Sequence, residues 1–249
     1  MKDCIVLAER PNKTIYRDGD RVIKLMVREH PVSDVFNEAM NMACVMETGL
    51  TVPRLLEVTR IDDRWALVME YIEGTTLAEL MEKNPGRFDE YLERFVDIQL
   101  KMHSYSAPRL PLHTEKMHRK IRQSGLDATT RYELHTRLDS LPKHTKLCHG
   151  DFNPSNIIIT GKDEACVIDW SHATQGNASA GAARTFLLFS LAGRRDAAEK
   201  YLNLFCKKSD TARQYVEKWI PIVSASQLVK NKPEERELLL RWASVVDYE

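Results

Sequence analysis

The chain has 249 residues, and its 36 Lys plus Arg residues equal its 36 Asp plus Glu residues, so the formal net charge at pH 7 is zero. A chain balanced in this way has no net field that would attract nucleic acid or an anionic membrane surface. Hydrophobic residues make up 43% and charged residues 29%, which is ordinary for a globular protein, and the length allows one or two domains with a substantial core.

The cysteines and the N-terminus indicate the compartment. Five cysteines occur without CxxC spacing, at Cys4, Cys44, Cys148, Cys166 and Cys206. An odd number without metal-ligand spacing favours small hydrophobic residues in a reducing compartment over disulfides or a zinc site. There is no basic start followed by a long apolar region, as in a signal peptide. No apolar run approaches the roughly 20 residues that cross a bilayer. We therefore expect a cytoplasmic protein.

The first 26 residues carry the pattern of antiparallel strands. Residues 4–7 form a short apolar run, and residues 14–17 and 21–25 flank Asp18-Gly19-Asp20. Asp-Gly between two such runs is a hairpin signal, because glycine readily adopts positive φ. In the apolar part of the third strand, residues 22–25, Lys24 is the one cation.

A helix and two further strands complete this first part. The helix is predicted from about residue 32 to residue 48, where Gly49 ends it, and it carries Glu38 near its middle. Strands are predicted at residues 55–60 and 65–69. The N-terminal part of the chain is therefore rich in strands.

The rest of the chain has mainly helical periodicity. Apolar residues recur at helical spacing through residues 77–103, 115–140 and 186–242, and the middle of these segments offers no recognisable ligand. The change from strands to helices near residue 72 predicts a domain boundary, because domains meet where the character of the packing changes. We expect lobes at residues 1–72 and 73–249.

Three polar residues with complementary chemistry lie between these later helices. Asp151 can accept a proton from a hydroxyl, and Asn156 can offer an amide oxygen to a hard cation. Asp169, at the end of an apolar strand, can offer a carboxylate to the same cation. Phosphoryl transfer requires such a set, since its loose transition state asks mainly for positioning, Mg²⁺ and a base near the acceptor. The spacing Asp-x4-Asn followed by a strand-end Asp is that of a kinase catalytic loop.

The combined motif resembles a known family. His149-Gly150-Asp151 with Asn156, followed by Ile168-Asp169-Trp170, is similar to the aminoglycoside phosphotransferase/choline kinase-like family, which consists of small-molecule kinases. The resemblance implies an α+β, protein kinase-like two-lobed fold, with a small antiparallel-sheet N-lobe and a larger, mainly helical C-lobe. Taken singly, His149 would be a core histidine, Asp151 a turn residue and Asp169 a strand end, but these interpretations do not explain the ordered set.

The resemblance also implies a nucleotide site, with ATP and Mg²⁺ as cofactors. Lys24 matches the strand-three lysine that binds the nucleotide phosphates, and Glu38 is its expected partner. Met69 would line the adenine pocket, and the backbone near Glu70 and Ile72 would bind adenine. By the same resemblance, Asn156 and Asp169 would hold Mg²⁺, and Asp151 would be the catalytic residue.

Two positions depart from the family pattern. The turn at residues 9–13, which corresponds to a nucleotide-covering loop, has no glycine. We expect it to be solvated, with Asn12 and Lys13 as the side chains that could contact phosphate. Gly181 stands where relatives carry an Asp that anchors the catalytic loop. The sequence therefore leaves open a nucleotide-binding regulatory protein without catalysis.

The expected function is an ATP-dependent phosphotransferase acting on a hydroxyl of a small molecule. Aminoglycosides, amino alcohols, amino acids and sugars all remain open as acceptor classes. A protein kinase is disfavoured, because the segment between Asp169 and the apolar run at residues 186–189 is short and has no Ala-Pro-Glu motif. No nucleic-acid or membrane partner is expected, and the oligomeric state is left open.

Overall fold

A computed structural model describes residues 4–244 of the chain. Its strands are β1 (Ile5–Arg10), β2 (Lys13–Asp18), β3 (Arg21–Met26), β4 (Leu55–Ile61), β5 (Arg64–Glu70), β6 (Thr75–Thr76), β7 (Lys146–Cys148), β8 (Ile157–Ile159), β9 (Ala165–Val167) and β10 (Thr174–Gly176). Its helices are α1 (Val32–Met46), α2 (Leu77–Lys83), α3 (Phe88–His103), α4 (His113–Gln123), α5 (Ala128–Ser140), α6 (Ala178–Leu191), α7 (Arg195–Ser209), α8 (Arg213–Glu217), α9 (Ile220–Leu228) and α10 (Pro233–Ala243).

The N-terminal strands form one antiparallel sheet in the order β1-β2-β3-β5-β4. The predicted hairpin between β2 and β3 is confirmed, with Asp18 paired to Arg21 and Gly19 at a φ of +61°. Only glycine adopts such a φ without steric strain, so the Asp-Gly signal fixes this turn.

Alternate residues of β3 lie on opposite faces of this sheet and have different packing partners. Ile23 and Leu25 pack with residues of β5 on one side. Side chains alternate along a strand, so Lys24 and Met26 point to the opposite face. There Met26 packs against Val35 of α1. Lys24 is consequently directed toward the helix that carries the predicted glutamate.

The helix-rich part has an aromatic core. Phe95 of α3 stacks on Phe152 at a ring-centroid distance of 4.6 Å and meets Phe189 and Tyr201 edge-on. Tyr201 and Phe205 of α7 extend the cluster. Rings at these distances add to the stability that comes from burying their apolar surface. The residue that follows Asp151 is thus fixed by packing.

Packing divides the chain into two compact units. The first comprises the described residues up to Pro85 together with Pro154–His172, and the second comprises Gly86–Asn153 with the described residues from Ala173 onward. The predicted lobes, residues 1–72 and 73–249, divide the chain at one point. The first unit also contains residues 73–85 and 154–172, which belong to the second predicted lobe. Residues 1–3 and 245–249 of the predicted lobes lie outside the described part of the chain. The α+β class is confirmed, with an antiparallel sheet at the N-terminus and helices predominating afterwards.

All five cysteines are free. Cys44, Cys148 and Cys166 are buried, as expected for small hydrophobic residues, whereas Cys4 and Cys206 are only partly buried. Burial raises the pKa of the Cys148 and Cys166 thiols to about 12, so both stay protonated and unreactive near neutral pH. Between residues 4 and 244, none of the helices is long and apolar enough to cross a membrane.

Candidate active site

A short hairpin brings two predicted metal ligands together within the first unit. β8 pairs with β9 in an antiparallel register that sets Ile157 opposite Val167. Asn156 precedes β8 and Asp169 follows β9, so both lie at the same end of the hairpin. The backbone N–H of Ile168 donates to the Asn156 carbonyl at 2.9 Å, which continues the pairing by one step. The strand register therefore explains why an Asn and an Asp separated by thirteen residues become neighbours.

Lys24 joins this hairpin to α1. Its ammonium donates to Glu38 and, at 3.0 Å, to Oδ1 of Asp169. Lys24 and Glu38 are only 4% and 6% exposed. Burial acts to lower the pKa of Lys24, but the two carboxylates outweigh it and hold the pKa above its usual range. The sequence-predicted pair is thus brought together, and the lysine is cationic.

Lys13 is a residue whose position sequence reasoning missed. We expected a solvated turn here, but Lys13 begins β2, its side chain is 17% exposed, and its ammonium lies 3.5 Å from Oδ2 of Asp169. Burial and the nearby charge of Lys24 lower the pKa of Lys13. The register that pairs Lys13 with Met26 of β3 places it beside Lys24. Sequence spacing alone gave no such register.

The residues at the end of the hairpin suit a hard cation. Asp169 has a φ of +62°, a region that non-glycine residues seldom adopt and that is often found at functional sites. Its side chain is 33% exposed and is oriented by Lys24 and by the hydroxyl of Ser171, which donates at 3.1 Å. Mg²⁺ usually takes one or two protein oxygens and completes its shell with phosphates and water. The Asp169 carboxylate and the side chain of Asn156, which start from the same end of the hairpin, are of the types that meet this requirement. Between residues 4 and 244, no group of three or more His, Cys, Asp or Glu forms a metal site of protein ligands alone.

The predicted adenine contacts lie at the end of β5. Met69 pairs with Val22 of β3 and is partly buried. The Glu70 N–H donates to the Arg54 carbonyl at 2.9 Å, and its carboxylate accepts from the Arg54 side chain. Ile72 follows the strand and is partly buried. Since the Glu70 amide is already engaged, an adenine contact at this residue would use its carbonyl.

The first part of the motif, His149 to Asp151, lies in the second unit. His149 is 1% exposed, and its Nδ1 accepts from the Asp151 backbone N–H at 3.2 Å. Gly150 between them has a φ of +81°, which explains the glycine at this position. Asp151 is 30% exposed, and its Oδ2 accepts from the Asn153 amide at 3.5 Å. The histidine therefore supports the loop, while the aspartate is open to solvent.

α6 anchors this loop despite the glycine at position 181. The Thr185 hydroxyl donates to the Phe152 carbonyl at 2.9 Å, and Nη2 of Arg184 lies 3.8 Å from Oδ1 of Asp151. Gly181 itself faces α3, where an added Cβ would lie 3.2 Å from Nε2 of His103. Two side chains one turn of helix beyond Gly181 therefore contact the loop.

Further cations surround Asp151 that the sequence did not single out. Lys116 and Lys120 of α4 and Lys230 after α9 each interact electrostatically with the Asp151 carboxylate. The two α4 lysines share one face because they are four residues apart. That spacing was visible in the sequence, but nothing in it indicated that the face meets Asp151.

Comparison with known proteins places this geometry in a family. The model of the phosphotransferase enzyme family, APH, matches residues 11–216, which is most of the chain. This chain is a member of the phosphotransferase enzyme family. The matched residues include Lys13, Lys24, Asp151 and Asp169. A comparison with curated protein sequences gives no match.

Solved structures share the fold of this phosphotransferase at low sequence identity. A thermostable mutant of aminoglycoside phosphotransferase APH(4)-Ia, in ternary complex with AMP-PNP and hygromycin B, is similar with a TM-score of 0.70 and 16% identity, over 97% of this chain and 90% of that chain. Choline kinase LicA from Streptococcus pneumoniae matches with a TM-score of 0.65 and 14% identity, over 97% of this chain and 92% of that chain. ADP-bound aminoglycoside phosphotransferase APH(2'')-Ib matches with a TM-score of 0.63 and 16% identity, over 96% of this chain and 90% of that chain. The chain therefore has the protein kinase-like fold that the motif predicted.

Proposed function

We propose that this phosphotransferase moves the γ-phosphoryl group of ATP to a hydroxyl of a small molecule, with the help of Mg²⁺. The observation that carries the proposal is the buried Lys24–Glu38 pair joined to Asp169 at the end of the β8–β9 hairpin. A buried lysine held by two carboxylates is unusual unless it also serves a ligand, because each charge loses its hydration. Solved relatives in the same fold hold AMP-PNP or ADP.

The first unit supplies the nucleotide-binding groups of this proposal. Lys24, fixed by Glu38, would bind the nucleotide phosphates, and Lys13 would add a second cation beside it. Asn156 and Asp169 would hold Mg²⁺, which supplies charge neutralisation for the phosphates when it is bound. Met69 and the backbone at Glu70 and Ile72 would contact adenine.

The second unit supplies the acceptor side. Asp151 would orient the acceptor hydroxyl and take its proton. The acceptor oxygen forms a bond to the γ-phosphorus, the bond from that phosphorus to the β,γ-bridging oxygen breaks, and its electron pair leaves with ADP. Asp151 then releases the proton to solvent. Asn156 follows Asp151 by five residues in the sequence.

A small molecule is favoured over a peptide as acceptor. Between Asp169 and the start of α6 at Ala178 the chain forms one short 3-10 turn, Trp170–His172, and the short strand β10. A protein kinase uses a longer segment there to hold its peptide. The competing proposal is a regulatory protein that binds nucleotide without catalysis. A substitution at Asp151 distinguishes the two proposals, because only an enzyme would lose activity.

The test is phosphoryl transfer from γ-labelled ATP in the wild type and in Asp151→Asn. We expect transfer to small hydroxyl compounds to fall by at least about 100-fold in the variant, the lower end of what a positioned base contributes. Mg·ATP should still raise the melting temperature of the variant, because the nucleotide-binding residues are unchanged. Equal transfer by both proteins, or label on protein in place of small molecules, would refute the assignment.

A further inference from the structure

Four cations from three segments of the second unit surround the carboxylate of Asp151. Lys116 and Lys120 lie on one face of α4, Arg184 lies on α6, and Lys230 lies just after α9. Each of the four interacts electrostatically with Asp151. This concentration of positive charge lies at the residue that faces the acceptor hydroxyl in the proposed reaction.

Arg184 is the most deeply buried member of this cationic cluster. It is 9% exposed, and its Nη2 lies 3.8 Å from Oδ1 of Asp151. Its Nη1 is buried and has no hydrogen-bond partner among residues 4–244. A guanidinium presents five N–H donors in a planar fork, and a buried donor without an acceptor is unfavourable. An anionic group beside Asp151 would satisfy this donor.

Two carboxylates interact with members of the cluster, and one of them is bound to other residues as well. Besides Asp151, Glu235 of α10 is the acidic group that interacts with Arg184. Both of its oxygens are already engaged, one by Lys232 at 2.8 Å and the other by the Gln227 amide at 2.6 Å. Glu235 also interacts with Lys230, so the carboxylates of Asp151 and Glu235 face four cations.

The cations also destabilise one another. Burial, followed by the charges of Lys120 and Arg184, lowers the pKa of Lys116 to about 7. Burial and Arg184 lower the pKa of Lys120 to about 8. Like charges in a partly desolvated site repel, and a bound anion would offset this repulsion. The arrangement is thus unfavourable without an anion and favourable with one.

We propose that Lys116, Lys120 and Arg184 form an anion subsite beside Asp151, and that the acceptor is an alcohol carrying a carboxylate or phosphate group bound there. This inference rests on the proposed phosphoryl transfer and narrows its acceptor. An aminoglycoside or a simple amino alcohol carries protonated amines, which the cluster repels. The hydroxyl of an anionic alcohol held in the subsite is directed toward Asp151.

Binding is tested with three-carbon probes that differ in charge: glycerol 3-phosphate, glycerol and the cationic amino diol serinol. The melting temperature of the whole chain is measured in the presence of each probe. One series contains saturating Mg·ADP, so that the nucleotide site is already occupied, and the other series contains no nucleotide. We expect glycerol 3-phosphate to stabilise the protein in both series and serinol to have no effect.

The decisive variant is Lys116→Gln with Lys120→Gln. It removes two repelling charges, so the unliganded protein should melt no lower than the wild type. Its dissociation constant for glycerol 3-phosphate should rise at least about tenfold, as expected when charge-assisted hydrogen bonds are lost. Lys101→Gln with Lys207→Gln, which removes the same charge from exposed positions on α3 and α7, is the matched control and should bind as the wild type does.

Three results would overturn the inference. The first is that serinol stabilises the protein as much as glycerol 3-phosphate does. The second is that the Lys116/Lys120 variant binds glycerol 3-phosphate as tightly as the wild type. The third is that Mg·ADP abolishes the stabilisation by glycerol 3-phosphate, because the cluster would then bind the nucleotide. Failure of the proposed function is distinguishable, because it shows as a missing Mg·ATP effect on the wild type. If Mg·ATP stabilises the protein and anions do not, only the acceptor class is wrong.

Discussion

Lys24 and Glu38 form an ion pair that is almost completely removed from water. Neither charge is hydrated, so the free energy of folding depends on each compensating the other. Lys24→Met should lower the free energy of unfolding by about 3–5 kcal/mol, because the Glu38 carboxylate stays buried without its cation. Chemical denaturation measures this loss.

The matched control for this prediction is the double change Lys24→Met with Glu38→Leu. With both charges removed, the stability should return close to that of the wild type, since apolar groups of similar size replace a desolvated pair. A single variant as stable as the wild type would show that Glu38 is not held by Lys24 in solution.

Two buried histidines of the second unit predict a pH dependence. Burial, followed by nearby lysines, lowers the pKa of His103 and of His113 to about 3. Both fold neutral, whereas the unfolded chain protonates them near pH 6.5. Because the unfolded state binds more protons, stability falls as the pH drops from about 6.5 toward 3.

Each of these histidines should contribute about 1.4 kcal/mol per pH unit within that window. His103→Gln should therefore reduce the loss of unfolding free energy between pH 7 and pH 5 by about 2 kcal/mol. Guanidinium denaturation at the two pH values measures it, and His144→Gln, at an exposed position, is the control. An unchanged difference in His103→Gln would mean that this histidine is accessible to protons in the folded state.

Among the elements, the β6–β8–β9 sheet carries the proposed metal ligands and depends on a close approach at Gly74. A Cβ at Gly74 would lie 2.3 Å from the Ile159 carbonyl oxygen, so the backbone would have to move. Gly74→Ala should lower the unfolding free energy by about 1–3 kcal/mol, as overpacking does. Thermal or chemical denaturation measures the change.

Gly161, in the turn between β8 and β9, is the matched control. Nothing lies within 4 Å of a Cβ added there. Gly161→Ala should change stability by less than about 1 kcal/mol, with a gain expected from the stiffer unfolded chain. Equal losses in the two variants would show that the contact at Gly74 does not limit the packing of this sheet.

Local signals predicted these elements well where one residue type decides the geometry. The β2–β3 turn followed from Asp-Gly, and α1 followed from the stop signal at Gly49, so Lys24 and Glu38 could be assigned to their elements by sequence reasoning. Strand register is different, because it depends on pairing partners elsewhere in the chain. For that reason the position of Lys13 beside Asp169 was missed.

At the scale of the whole molecule, equal numbers of acidic and basic residues hide a local separation of charge. The network at Lys24 pairs two lysines with two carboxylates. The cluster at Asp151 instead sets four cations against the carboxylates of Asp151 and Glu235. Composition correctly gives no net field, but it cannot reveal a field confined to one site. The motif between residues 149 and 169 predicted the family and the fold, while the chemistry around the acceptor emerged only from tertiary packing.

The proposed function depends on a Mg·ATP site built on Lys24, Asn156 and Asp169. The measurement that tests it most directly is the melting temperature with and without Mg·ATP in the wild type, in Asp169→Ala and in Asp151→Asn. A ligand that binds only the folded state adds about 2.7 kcal/mol at a hundredfold excess over its dissociation constant. We expect a rise that EDTA removes, that Asp169→Ala abolishes and that Asp151→Asn keeps. No rise in the wild type at saturating Mg·ATP, or an equal rise in Asp169→Ala, would contradict the account.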